Sequence, residues 1–174
     1  GNGFVFDTNY ENFTDSDPTE LVFSEQNHLL GKHAITLGRD RSERLHKLVA
    51  FTGESVTIPR GAIAILSLSP TTGEVPTRVD SQLLFGDDVA KARANRESAA
   101  TKWPVGGHAM AIAFPLGKGR VVISGEAGML TAQVFRKRDK NGTLEFVGKM
   151  GMDVRNDDRQ YVLNVLHWLS GALK

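Results

Sequence analysis

The stretch GKGRVVISGEAGMLTAQ, Gly117 to Gln133, places a carboxylate where many α/β enzymes place a nucleophile. An esterase-type nucleophile elbow reads Gly-x-Ser-x-Gly, because only small neighbours tolerate the sharp turn. Here the turn is Ser124-Gly125-Glu126-Ala127-Gly128, with Glu126 at its centre. Glu126 has two uses at such a place. It caps the element that follows, since backbone N–H groups at a helix start attract a carboxylate. Alternatively it faces a pocket beyond the strand's carboxyl end, where open α/β sheets bind ligands. His108 begins the strand that precedes the turn, so the hairpin brings His108 and Glu126 to one sheet end. Gln133 follows a few residues on. Acid, base and polar orienter in one cleft would be hydrolase chemistry. Asn156 stands with Asp153, Asp157 and Asp158 before the last helix. Their spacing is not that of a calcium loop. Helix-start electrostatics account for the group, and Asn156 is kept as a candidate binding residue. Glu126, Gln133 and His108 are the other binding candidates.

Further chemistry is sparse. His28, His33, His46, His108 and His167 are scattered with no HxH or HxxxH spacing, so no local metal motif is present. His33-Ala34-Ile35-Thr36 reads as a tight turn opening an element. Gly1-Asn2-Gly3 and Gly117-Lys118-Gly119 do not extend to GxGxxG, and the second joins two strands, so neither supports a nucleotide site. No cofactor motif appears. The chain has no cysteine, which excludes disulfides, thiolate nucleophiles and Cys-bound zinc within it. A net charge of +1 gives no global attraction to nucleic acid or anionic membrane. The run Arg136-Lys137-Arg138 reads as a solvated hairpin rim. No apolar run approaches the ~18 residues that suggest a membrane span.

The elements that must position these residues fit one α/β domain over residues 1–174. Phe4-Val5-Phe6, Leu48 to Phe51, Ser55 to Ile58 and Ala62 to Leu68 read as strands, the last covered on both faces. Residues 7 to 32 read mostly as loop. Residues 79 to 106 are irregular, with a short helix over Asp87 to Ala94. His108 to Phe114 and Arg120 to Ser124 form a hairpin, the second strand central. Glu126 to Phe135 can be helical. Thr143 to Val147 alternates like an exposed strand after the Asn141-Gly142 turn. Asn156 or Asp157 caps a final helix whose apolar face is Val162, Leu163, Val165, Leu166 and Leu169, and Gly171 ends it.

Two segments then carry a family resemblance. GKGRVVISGEAGMLTAQ and GMDVRNDDRQYVLNVLHWLSG resemble the C-terminal part of an uncharacterised bacterial family with a class I glutamine amidotransferase-like domain. The match runs over Gly119 to Gly128, Gln133, Gly151-Met152 and Asn164 to Gly171. His33 to Gly38 resembles the family's HPITxG segment, with Ala34 in place of Pro. Residues 70 to 106 match nothing in it. The resemblance implies a three-layer α/β sandwich of flavodoxin-like type, with the opening β-α units upstream of Gly1. It suggests a cell-envelope or periplasmic setting. It also leaves an open sheet edge, through which a homodimer is expected.

Amidotransferases use a Cys nucleophile and a late His-Pro-Glu. Ser124-Gly125-Glu126 stands at that place without the His, and the chain has no Cys. The expected function is therefore a non-catalytic domain that binds a small molecule or a protein partner. A hydrolase with an unfamiliar site around Glu126 and His108 is the alternative. Carbohydrate binding, from fold analogy, is a weaker one.

Overall fold

The computed structural model describes residues 3–14, 17–76, 84–85, 88–152 and 156–174. It is a mixed α/β protein built from four small sheets and three helices among those residues. Strand β1 (Gly3–Asp7) pairs antiparallel with β6 (Thr72–Pro76), Val5 opposite Glu74. Strands β2 (Phe13–Thr14), β3 (Asp17–Ser24) and β4 (Lys47–Val49) form the order β2-β3-β4. Strands β5 (Ile63–Ser67), β7 (Ala109–Leu116) and β8 (Gly119–Ser124) form β5-β7-β8. Strands β9 (Ala132–Arg138) and β10 (Leu144–Gly151) pair with each other as a hairpin. The helices are α1 (Ala34–Leu37), α2 (Val89–Lys102) and α3 (Asp158–Leu169).

Every described strand pairing is antiparallel. Segment 53–56 stitches the sheets together. Gly53 O accepts the Val5 amide at 2.9 Å, the Glu54 amide reaches Gly125 O at 2.9 Å, and Val56 exchanges bonds with Ala109. The alternation seen at Ser55 to Ile58 thus yields a single bridge at Val56 and no longer strand. The main core lies between β3, β4, β5, β7 and α3, and includes Phe23, Leu48, Ile65, Met110, Met129, Tyr161 and Trp168. Each such large side chain contributes roughly 1.5–3 kcal/mol through burial.

Several expectations need correction. Residues 7 to 32 are not mostly loop: β2 and β3 occupy Phe13–Thr14 and Asp17–Ser24, and the Leu21-Val22-Phe23 run is buried. Glu126 to Phe135 is not a helix. A single 3-10 turn, Gly128–Leu130, leads directly into β9, whose Val134 and Phe135 suit a strand. β8 is an edge strand, and β7 is the central one. Lastly, of the expected α3 face Val165 packs against the core, but Leu163, Leu166 and Leu169 stay exposed, Leu166 at 56%, and the helix turns Asp158, Tyr161, Asn164 and Trp168 inward. Its inward face meets backbone amides and carbonyls, which need polar partners that leucine cannot supply. Helix α2 is longer than read, and Asp88 caps it through the Lys91 amide. The expected start at Asp87 lies outside the described residues, as does Asp153.

Candidate functional site

Glu126 sits where the edge strand β8 ends and the 3-10 turn begins. Gly125 keeps its place in the sheet, donating to Met110 O at 2.8 Å. A Cβ at Gly125 would collide with the Glu54 carbonyl, so the close crossing of segment 53–56 requires glycine there. Beyond it the Glu126 carboxylate folds back on its own turn. One oxygen accepts the Gly128 amide and the other the Met129 amide at 2.9 Å. The residue is buried, and burial raises its pKa, opposed by the Met129, Gly128 and Phe51 amides. Gly53 presses against it: a Cβ there would lie 2.8 Å from Glu126 Cβ. Next to Gly53, Thr52 holds φ at +59°, a left-handed conformation costly for a β-branched residue.

His108 does not turn to Glu126. Its Nδ1 lies 3.1 Å from Ser55 Oγ, and the Ser55 amide donates to Glu74 Oε2 at 3.1 Å. Gln133 is exposed on β9 opposite Met150, on the hairpin. Asn156 Nδ2 donates to Asp158 Oδ2 at 3.0 Å, and its Oδ1 accepts the Asp158 amide. The four predicted residues are thus divided among the turn, the Ser55 contact, the hairpin and the start of α3.

A second acid shares the environment of Glu126. Asp158 is fully buried at the first turn of α3. Its Oδ1 accepts the Val49 amide at 3.1 Å. Burial lifts its pKa to about 7, opposed by the Val49 and Asn156 bonds, and the Glu126 and Asp157 charges push the same way as burial. Tyr161, one turn on, is fully buried, and its hydroxyl has no hydrogen-bond partner among the described residues. Burial chiefly, then Glu126 and Asp158, push its pKa up. Sequence reading grouped Asp158 with helix-start acids and passed over Tyr161. The Asn164-to-Gly171 pattern was the available signal that this helix face is unusual.

Other predicted residues hold structure. His33 caps α1, its Nδ1 accepting the Ile35 amide at 3.1 Å, and its ring meets Trp168 edge-on at 5.0 Å. Burial lowers its pKa, with Arg120 adding to the effect. Among the described residues no three His, Asp or Glu side chains are grouped to hold a metal ion. Cavities of about 160, 200 and 360 Å³ open elsewhere on the molecule, and neither Glu126 nor His108 lines any of them. No described helix is long and apolar enough to cross a membrane. Compared with known proteins, the chain matches no family model, no curated protein and no solved structure.

Proposed function

We propose that this chain is a non-catalytic α/β domain that binds a ligand or a protein partner. The observation that carries the reading is the Glu126 carboxylate. A general acid or base needs an oxygen within reach of substrate. Both Glu126 oxygens are instead engaged by amides of their own turn, in a buried position. The residues matched to the amidotransferase-like family support a kinship with that fold.

A hydrolase is the second reading, favoured by the Ser55 Oγ to His108 Nδ1 contact at 3.1 Å. A serine beside an imidazole is the minimal activated nucleophile, with the imidazole oriented by a third group in complete sites. Hydrolysis of a model ester and of L-glutamine by the wild-type chain and by His108→Ala separates the two. The binding reading expects no turnover above the buffer rate in either protein. Saturable turnover that His108→Ala abolishes would transfer the assignment to the hydrolase.

A further inference from the structure

The β9–β10 hairpin is an arm whose β9 side chains are exposed on both faces. Its base is anchored by Met150 packing against Val22, Val49 and Phe51. Every residue of β9 is exposed, Phe135 at 46%, and Val134 and Val147 are exposed with it. An isolated two-stranded ribbon is marginally stable in water, and this one places apolar side chains in solvent on top of that. The arm is also strongly basic. Residues 132–151 hold Arg136, Lys137, Arg138, Lys140 and Lys149 against Asp139 and Glu145, a balance of +3 in a chain of net +1.

The opposite charge lies in the same chain. Residues 1–31 contain Asp7, Glu11, Asp15, Asp17, Glu20 and Glu25 and no Lys or Arg. Asp7 is buried and bonded inward to Ser69, Thr71 and Thr72, and Glu25 pairs with Arg44. Glu11 is exposed on the 3-10 turn Tyr10–Asn12 that leads into β2, and Glu20 is half-buried, its carboxylate met by the Thr14 hydroxyl at 2.7 Å. Glu20 stands two residues before Val22 on β3, at the irregular stretch of the β2-β3 pairing. The arm's base rests on Val22. Basic arm and acidic face therefore flank one patch of the β2-β3-β4 sheet, the arrangement that a twofold axis through that patch would satisfy twice.

We propose that the chain forms a reciprocal homodimer, each β9–β10 arm lying on the acidic β2-β3 face of the second copy. The proposal rests on the binding-domain reading and names the partner as another copy of this chain. The pairing covers Val134 and Val147 and sets Arg136 and Arg138, which share that face of the arm, against Glu11 and Glu20. Opposite charges steer such contacts and fix their register.

Sedimentation equilibrium from about 1 to about 100 μM tests it. The wild-type chain is expected at about twice the 19.0 kDa of one copy, with association weakening as salt shortens the screening length. Arg136→Glu/Arg138→Glu and Glu11→Lys/Glu20→Lys are each expected to weaken association about tenfold or more. Circular dichroism confirms that each variant is folded. Mixing the two variants restores the dimer, because each arm then meets the opposite charge. Three results overturn the proposal: a single-chain mass for the wild type, which assigns the arm to a different acidic partner; a mass that grows without limit, which breaks the reciprocal closure; or folded variants that do not recover on mixing. None of these bears on the non-catalytic reading, which the turnover assay tests separately.

Discussion

The Asp158 carboxylate accepts the Val49 amide at 3.1 Å, joining the first turn of α3 to the edge of β4. Asp157 extends the same seam, its Oδ2 accepting the His46 amide at 2.6 Å and the Lys47 amide at 3.0 Å. Two adjacent carboxylates thus occupy the place of a neighbouring strand along β4. This explains how a three-residue edge strand is covered without a further pairing partner among the described residues.

The seam makes stability depend on pH in a definite direction. Asp158 is lifted from 3.8 to about 7 in the folded protein. Between those values the folded state binds more protons than the unfolded state, so this group lowers stability as pH rises from about 4 to about 7. Glu43, drawn to about 2 chiefly by its bond to Arg39, acts oppositely: its contribution is present above 4.5 and is lost as pH falls toward 2. His33, lowered by burial, also favours the higher pH. Subtracting the urea-unfolding profile of Asp158→Asn from that of the wild type isolates the Asp158 contribution. The difference is expected to fall from pH 4 to pH 7, and a flat difference would refute the assignment.

Tyr161 presents the opposite case, a buried hydroxyl without a bond. Tyr161→Phe removes an unsatisfied polar group and keeps the ring in the core. The variant is expected to be as stable as the wild type or more stable by up to about 1 kcal/mol. A loss of about 2 kcal/mol in denaturant midpoints would show that the hydroxyl is bonded in solution.

How much of this could be read in advance differs by element. The β7–β8 hairpin and the existence of α3 were legible, because turn residues and periodicity are local signals. The buried face of α3 was not. Leucine spacing selects Leu163, Leu166 and Leu169, whereas the inward face is Asp158, Tyr161, Asn164 and Trp168. Both sets have helical spacing, and only the amide edge of β4 and the carbonyls near α1 decide between them. The turn around Glu126 was legible as a cap. Its separation from His108 was not, because the segment 53–56 that brings Ser55 to His108 is distant in sequence.

Asn164 is the clearest test of that polar face. Its Nδ2 donates to Ile35 O and Glu43 O, both at 2.8 Å, and its Oδ1 accepts from Gln160 at 2.9 Å. Asn164→Leu leaves both carbonyls without their donor in the interior. A loss of roughly 2–4 kcal/mol is expected in equilibrium unfolding, although hydrophobicity rises. Unchanged stability would mean that the two carbonyls find other partners.

Thr52 stores strain beside the turn. With φ at +59°, Thr52→Gly is expected to stabilise the chain by about 1 kcal/mol, since glycine adopts that conformation freely. A destabilised variant would show that the Thr52 side chain contributes more than its backbone costs.

The most direct measurement is the unfolding free energy of Glu126→Ala. If the carboxylate is architecture, its removal strands the buried Met129 amide and the Gly128 amide, and stability falls by roughly 1–3 kcal/mol. If Glu126 is instead a functional acid held against the needs of the fold, the variant is as stable as the wild type or more so, as removal of active-site groups commonly shows. The first result supports a binding domain whose strand-turn segment is structural, and the second contradicts it.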